Sequence, residues 1–255
     1  MPGIENHFKR GLRGSRPLVG LWLQLASNIA AESLAYSGFD WLLVDAEHAP
    51  NEIPDIIGQL QAIGLGGSAP VVRPSVNDTV LFKRMLDAGV QSLLVPWVQS
   101  AEEAERAVRA MRYPPDGVRG VASCNRGNRF AHVPDYLHRA NAEMCLVVQI
   151  ETREAVNRVR EIAAVDGVDA VFVGPSDLAA DMNQLGNPAA PEVQSAIAEV
   201  LGQSRAVGKP AGIFAFGAAD ARKRFDAGFR FASVGADLST MIKSCEELLA
   251  ATRAG

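Results

Sequence analysis

Four stretches of the chain share one pattern: GFDWLLVDAEH (38–48), GVQSLLVPWV (89–98), GVDAVFVGPSD (167–177) and GFRFASVGAD (228–237). Each begins with a glycine, continues with a mostly apolar run and then reaches Asp, Glu, His, Pro or Ser. The glycine is typical of a helix end, where a positive φ is needed, and the apolar run is typical of a strand covered on both faces. Polar residues therefore follow parallel strands, at the end where a (β/α)8 barrel keeps its active site.

The whole chain alternates between strand-like and helix-like segments. We predict eight strands, at 17–24, 41–48, 69–74, 92–98, 144–151, 170–177, 210–216 and 231–237. Amphipathic segments at helical spacing accompany them, at 28–37, 51–63, 77–87, 100–111, 152–165, 191–207, 218–227 and 238–253. This alternation predicts a parallel sheet with helices outside it. A doubly wound open sheet usually has a glycine-rich turn after its first strand, whereas this chain has QLASN (24–28), so we predict a TIM barrel.

Length and composition favour one globular domain that spans residues 1–255. The 255 residues, 48% hydrophobic and 21% charged, match the usual size of one (β/α)8 barrel. A net charge of −4 gives no basic surface for nucleic acid, and no apolar segment is long enough to cross a membrane. The N-terminus has no apolar signal segment, and the three cysteines have no CxxC spacing. We therefore expect a cytoplasmic protein without nucleic-acid or membrane partners.

One long segment, 112–143, lacks a regular pattern and contains YPPDGVRGVASCNRGNRFAH. Loops of this length are usually functional or mobile. We predict that it forms a flap over the mouth of the barrel. Cys124 lies in this segment without a histidine partner in the pattern, so we interpret it as structural.

The second and third predicted strands end in candidate catalytic residues. Asp45, Glu47 and His48 follow the second strand, and Arg73 ends the third. A lone histidine is more often structural, but beside carboxylates at a barrel mouth His48 is a candidate general acid or base. Arg73 either forms an ion pair at the mouth or clamps an anion or oxyanion, and the sequence leaves both readings open.

The fifth and sixth predicted strands end in candidate ligands. Gln149 and Glu151 stand on one face of the fifth strand, and Ser176 and Asp177 follow the rigid Gly174-Pro175 pair. Glu151 and Asp177 either pair with arginines or bind Mg²⁺ or Mn²⁺, with water and a chelating substrate as the other ligands. The backbone amides after Gly174-Pro175 begin a short helix, whose N-terminus suits a substrate carboxylate.

Other chemistries lack their sequence signals. No lysine stands at the C-terminal end of a predicted strand, so we do not expect a Schiff-base mechanism. Neither a nucleophile elbow (GxSxG) nor a phosphate loop (GxxxxGKS) is present, and we expect no organic cofactor.

Taken together, the segments GFDWLLVDAEHAP, VVRP, RMLDAGVQSLLVPWV, RYPPDGVRGV, VVQIET and VFVGPSDLAADM resemble the HpcH/HpaI aldolases, a family of metal-dependent pyruvate aldolases. The resemblance covers roughly residues 17–240. It implies a TIM barrel, a homohexamer built as a trimer of dimers that exchange their last helices, and a divalent cation, Mg²⁺, Mn²⁺ or Co²⁺. The cation would bind pyruvate through its carboxylate and keto oxygens.

The resemblance also implies roles for individual residues. Glu151 and Asp177 would be the metal ligands, with Gln149 beside the substrate. Arg73 would hold the keto oxygen and stabilise the enolate, and His48 would transfer protons. The family aspartate that pairs with this histidine corresponds to Asp87, and a second nearby carboxylate corresponds to Asp45.

Three aromatic residues near the ends of the first and seventh strands, Trp22, Phe214 and Phe216, are candidate walls of an aldehyde pocket. Ordinary barrel packing is at least as good a reading of each.

The leading hypothesis is a lyase that reversibly cleaves a 4-hydroxy-2-oxo acid into pyruvate, or a related 2-oxo acid such as hydroxypyruvate, and an aldehyde. The alternatives are a citrate-lyase-like enzyme for CoA thioesters and a non-catalytic barrel. The sequence leaves open the preferred metal, the stereochemistry and the aldehyde, for which both aromatic catabolism and deoxy-sugar acids offer sources.

Overall fold

The structure is a computed structural model that describes residues 4–253. Eight parallel strands form a closed barrel in the order β1 to β8, as the sequence predicts. The strands are β1 Leu18–Leu23, β2 Trp41–Asp45, β3 Ala69–Arg73, β4 Ser92–Val95, β5 Cys145–Ile150, β6 Val168–Val173, β7 Ala211–Phe214 and β8 Phe231–Ala236. They are shorter than predicted, because the last residues of each predicted strand belong to the segment that follows it.

Helices surround the strands. They are α1 His7–Leu12, α2 Asn28–Ala35, α3 Ile53–Ile63, α4 Thr79–Asp87, α5 Ala101–Met111, α6 Tyr136–Glu143, α7 Arg153–Ala164, α8 Pro175–Asp181, α9 Pro191–Ala206, α10 Ala218–Ala227 and α11 Asp237–Arg253. Short polar side chains begin several of them: Asp78 accepts a hydrogen bond from the Leu81 amide and Ser100 from the Glu103 amide. No described helix combines the length and the hydrophobicity that a bilayer-spanning segment requires.

The barrel interior is filled by aromatic rings from facing strands. Trp41, Phe172 and Phe231 are fully buried and contact one another, with ring centroids 5.6 to 6.4 Å apart. Gly20 makes room for them, since a Cβ there would stand 2.1 Å from the Trp41 ring. Phe8 of α1 closes the N-terminal end of the barrel by packing on Trp41 and Phe231. The C-terminal end is therefore the open mouth.

The predicted flap lies at the opposite end of the barrel. Within segment 112–143, Arg119 and Asn125 each bond to Asp87 at 3.0 Å, and Arg126 donates to the Ala88 carbonyl. Asp87 and Ala88 end α4 at the N-terminal face. The segment joins the end of α5 to the start of β5, and both of these points belong to that face. The prediction that it covers the mouth of its own barrel is therefore wrong.

Candidate active site

The mouth of the barrel contains a cavity of about 240 Å³. Nine of the predicted site residues line it: Trp22, His48, Arg73, Gln149, Gly174, Pro175, Ser176, Asp177 and Phe214. Gln24 and Phe172 complete the lining. The mouth therefore brings together side chains that lie up to about 190 residues apart in the sequence.

Arg73 is the best-anchored group of the site. Its side chain is 3% exposed, and its Nε and Nη2 atoms donate to the two carboxylate oxygens of Asp45 at 2.9 and 2.7 Å. Its Nη1 lies 2.6 Å from Oε2 of Glu47. The pairing follows from the register of the sheet, which places Asp45 of β2 beside Arg73 of β3. The guanidinium is therefore held in one orientation at the mouth.

Trp22 supports the same guanidinium from its face. The Cζ atom of Arg73 lies 4.2 Å from the centroid of the Trp22 ring, which is within the range of a cation–π contact. The ring is packed in turn against Phe214, edge to face at 5.4 Å, and against Phe172 at 6.2 Å. Phe216 packs on Phe214 at 5.6 Å and is half exposed. Trp22 thus lines the cavity and also contacts Arg73.

The two carboxylates beside Arg73 differ in their electrostatics. Burial opposes the ionisation of Asp45, but the hydrogen bonds and charge of Arg73 outweigh it, so the pKa of Asp45 is lowered. Burial raises the pKa of Glu47, although Arg73 and His48 act against it. Asp45 is therefore the permanent counter-ion of Arg73, and Glu47 is the more readily protonated of the pair.

Glu151 is buried beneath the cavity next to Gln149. Its Oε1 accepts a hydrogen bond from the Trp97 amide at 2.7 Å, and its Oε2 accepts one from Nε2 of Gln149 at 2.5 Å. Burial and, to a smaller extent, the nearby charge of Asp177 raise the pKa of Glu151 to about 7. The carboxyl group is thus held where a negative charge is costly unless a cation accompanies it.

His48 lies at the rim. Its side chain is 58% exposed, and its Nε2 is 3.9 Å from Oε2 of Glu47. Its backbone amide donates to Oδ1 of Asp45, which ties the loop after β2 to the Asp45–Arg73 pair. The imidazole is accessible from the cavity and from solvent.

Asp87 is not brought to the mouth. It ends α4 at the N-terminal face, where its Oδ1 accepts hydrogen bonds from Arg119 and Asn125. No hydrogen bond or ion pair between Asp87 and His48 occurs within residues 4–253. Helices of the barrel run from the mouth to the opposite face, so the last residue of α4 cannot meet His48 of the same chain.

Sequence reasoning missed three contributors to the site. Gln24 donates to Oδ2 of Asp45 at 3.4 Å and Phe172 forms part of the cavity wall. The Trp97 amide reaches Glu151 from a residue with a φ of +56°, which no sequence pattern signals. Gln24 could have been predicted from the sequence, because it directly follows β1 and therefore lies at the mouth.

Comparisons with known proteins agree with this geometry. The profile of the family described as HpcH/HpaI aldolase/citrate lyase matches residues 18–244. The chain belongs to this family. It is 52% identical over 248 residues to the 4-hydroxy-2-oxo-heptane-1,7-dioate aldolase of Klebsiella pneumoniae subsp. pneumoniae, which covers 97% of this chain and 94% of that protein. The predicted family is therefore confirmed.

Solved structures of the HpcH/HpaI family have the same fold. A family protein from Burkholderia cenocepacia J2315 matches with a TM-score of 0.95 and 44% identity, over 97% of this chain and 99% of that one. An HpcH/HpaI aldolase from Desulfitobacterium hafniense DCB-2 matches with a TM-score of 0.88 and 28% identity, over 96% of each chain. A citrate lyase from Burkholderia xenovorans LB400, at 16% identity and a TM-score of 0.60, shares the fold alone. The predicted enzyme class, a carbon–carbon lyase of the aldolase type, is confirmed.

The donor set of this HpcH/HpaI aldolase fits a hard divalent cation. Glu151 and Asp177 offer carboxylate oxygens, and Oε1 of Gln149 is a buried acceptor without a hydrogen-bond partner within the described residues. Gly174 keeps the space around them clear, since a Cβ there would stand 2.8 Å from Oε2 of Glu151. No group of three or more His, Cys, Asp or Glu side chains in residues 4–253 is arranged to hold a metal. A cation here would therefore need oxygen atoms from substrate and water as well.

Proposed function

We propose that the protein reversibly cleaves 4-hydroxy-2-oxo acids into pyruvate, or a related 2-oxo acid such as hydroxypyruvate, and an aldehyde, with a divalent cation held by Glu151 and Asp177. The observation that carries the proposal is the buried Arg73 guanidinium, which Asp45 and Glu47 fix at the mouth. Asp177 lines the same cavity, and Glu151 lies beneath it, hydrogen-bonded to Gln149. The Klebsiella relative is named for a substrate of this class, so 4-hydroxy-2-oxoheptane-1,7-dioate is the first substrate to test.

Arg73 can serve the reaction because its ion pairs leave donors free. A guanidinium has five N–H groups. One on Nε and one on Nη2 hydrogen-bond to Asp45, whereas Nη1 forms an ion pair with Glu47 that is not a hydrogen bond. At least one N–H therefore remains on each Nη atom. These donors are preorganised for an oxygen that gains negative charge, which is the keto oxygen of the 2-oxo acid as it becomes an enolate.

The cation, when bound, would draw electron density from the carboxylate and keto oxygens of the 2-oxo acid and favour the enolate. Mg²⁺, Mn²⁺ and Co²⁺ all suit this oxygen-rich donor set. Glu151 and Asp177 would hold the cation, and Gln149 would lie beside the substrate. The amides of Ser176 and Asp177, which follow Gly174-Pro175, are the candidate donors to the substrate carboxylate.

His48 is the proposed proton-transfer group at the rim. Its exposed imidazole stands where the hydroxyl of the acid, or the oxygen of the aldehyde, would enter the cavity. The family aspartate that pairs with this histidine corresponds to Asp87, which lies at the far face of its own barrel. We therefore assign this role to Asp87 of a second copy of the chain, docked with its N-terminal face against the first copy's mouth.

An assembly of copies is also favoured by α11. This helix presents an apolar set that is more than one-third exposed in the single chain: Leu238, Met241, Ile242, Leu248 and Leu249. Exposed apolar surface of this extent marks an interaction site. We propose the family's hexamer, a trimer of dimers that exchange this helix, in the cytoplasm, whose reducing conditions suit the free cysteines Cys124, Cys145 and Cys245.

The first test is proton NMR of pyruvate in D₂O with chelator-treated protein. We expect the methyl signal to disappear only after Mg²⁺ or Mn²⁺ is added, because enolisation exchanges the methyl protons. Glu151→Gln should abolish the exchange, whereas Glu161→Gln, an exposed position on α7, should not. Absence of exchange with pyruvate and hydroxypyruvate under all conditions would refute the proposal and direct attention to CoA thioesters.

A further inference from the structure

A second polar cavity, the basal cavity, lies at the N-terminal face of the barrel, opposite the mouth. It has a volume of about 550 Å³ and includes Val168 and Ala211, the first residues of β6 and β7. Its charged lining residues are five cations and one acid: Lys9, Arg13, Arg205, Lys209, Arg230 and Asp169. The chain as a whole has a net charge of −4, so this positive charge is a local concentration.

Three of the five cations have structural partners. The Nζ of Lys9 lies 3.3 Å from Oδ1 of Asp169, and Nζ of Lys209 donates to the Val168 carbonyl at 2.5 Å. The guanidinium of Arg230 donates to backbone carbonyls of the segment before β1, those of Gly14, Ser15 and Arg16. Asp169, the acidic residue of the lining, is therefore already neutralised by Lys9.

The remaining two cations, Arg13 and Arg205, have no such partners. Neither guanidinium has a hydrogen bond or an ion pair to any residue that the structure describes. Both residues are exposed, and the Arg205 guanidinium lies directly over Gly228, where an added Cβ would stand 1.4 Å from Nη2. Two uncompensated guanidinium groups thus border one cavity.

We propose that the basal cavity binds a small, multiply charged anion that carries phosphate groups, with Arg13 and Arg205 as its main contacts. The planar fork of a guanidinium matches two phosphate oxygens, and two forks with the remaining donors of Lys209 suit more than one phosphate group. The volume falls within the usual range of small-molecule sites. The cavity borders the first residues of β6 and β7, whereas Asp87, the residue assigned to a neighbouring mouth, precedes β4, so the ligand of the basal cavity is distinct from the aldolase substrates.

Isothermal titration calorimetry of the assembled, metal-free protein with pyrophosphate tests the proposal. We expect saturable binding of one pyrophosphate per chain, with inorganic phosphate weaker. The double variant Arg13→Gln/Arg205→Gln should raise the dissociation constant at least tenfold. Citrate, which offers carboxylates in place of phosphates, should bind more weakly than pyrophosphate, and equal or tighter citrate binding would overturn the phosphate assignment.

A matched control separates this site from a general effect of charge. The double variant Arg158→Gln/Arg222→Gln removes the same charge from exposed positions on α7 and α10, outside the cavity, and should bind pyrophosphate within twofold of the parent protein. Equal weakening in both double variants, or no saturable binding by the parent protein, would refute the site. If the first double variant does not fold, Arg13→Glu at the exposed end of α1 tests the same contact and should also abolish tight binding.

Discussion

Replacing Glu151 with glutamine is expected to stabilise the metal-free protein at pH 8. The buried carboxyl group has its pKa raised from 4.5 to about 7. Between these values the folded chain binds more protons than the unfolded chain, so stability falls as pH rises through this window. Each pH unit in this window lowers the free energy of unfolding by at most about 1.4 kcal/mol, and the total loss by pH 8 is about 3 kcal/mol. A glutamine carries no charge and avoids this cost.

The local hydrogen bonds can adapt to the substitution. The oxygen of the new amide can still accept from the Trp97 amide. Oε1 of Gln149 has no hydrogen-bond partner among the described residues, so it can accept from the new amide nitrogen once the Gln149 amide turns over. The substitution therefore removes a costly charge and leaves one unpartnered polar atom on Gln149, as in the parent protein.

Urea unfolding of metal-free protein at pH 5 and pH 8 measures the effect. We expect Glu151→Gln to exceed the parent protein by about 2–3 kcal/mol at pH 8 and by less than about 1 kcal/mol at pH 5, where the carboxyl group is protonated in the folded state and partly ionised in the unfolded state. Glu161→Gln, an exposed control, should change stability by less than about 0.5 kcal/mol at either pH. Adding Mg²⁺ or Mn²⁺ should stabilise the parent protein and not the variant. A variant that is no more stable at pH 8, or equally stabilised at both pH values, would refute the reasoning.

Three further predictions concern the mouth. Arg73→Met should destabilise the protein by about 3–5 kcal/mol in urea unfolding, because Asp45 loses its buried partner. Adding Asp45→Asn to the same chain should restore part of this loss, and full stability of the single variant would contradict the ion-pair account. Trp22→Leu should lower kcat/KM for retro-aldol cleavage by roughly 2- to 30-fold, because the cation–π contact with Arg73 is lost. Trp22→Phe should have a kcat/KM closer to that of the parent protein, and an equal loss in both variants would assign the effect to packing alone. The variants His48→Ala and Asp87→Ala should each be inactive alone. When they are refolded together, up to about a quarter of the activity should return, because some active sites then combine His48 of one chain with Asp87 of the other. No regain of activity would refute the assignment of Asp87 to a second copy.

The strands were predictable because burial on both faces leaves a simple record in the sequence. Every residue of β2 and β5 is buried, and each strand is a mostly apolar run with a polar residue at or next to its C-terminal end. The short helices α1 and α6 were not predicted. Each has six or eight residues with little apolar periodicity, and α1 depends on the packing of Phe8 and Leu12 against the barrel as well as on its Asn6 cap.

The roles of the mouth residues were only partly predictable. The sequence placed Arg73 at a strand end but left an ion pair and an anion clamp as alternatives. The structure has the ion pair, and its geometry leaves an N–H group free on each Nη atom, so one role does not exclude the other. That Trp22 packs on Arg73 depends on which side chains face each other across the closed barrel, and spacing within one strand carries no such information.

The predicted flap and Asp87 both lie at the N-terminal face instead of the mouth, for one reason: each belongs to a connection from a helix to the next strand. In a (β/α)8 barrel, segments from strand to helix lie at the mouth, and segments from helix to strand lie at the opposite face. Segment 112–143 and the end of α4 are both of the second type, and they contact each other through Arg119, Asn125 and Asp87. If Asp87 serves His48, the N-terminal face of one copy must meet the mouth of another. Segment 112–143 would then border an active site after all, that of the neighbouring chain.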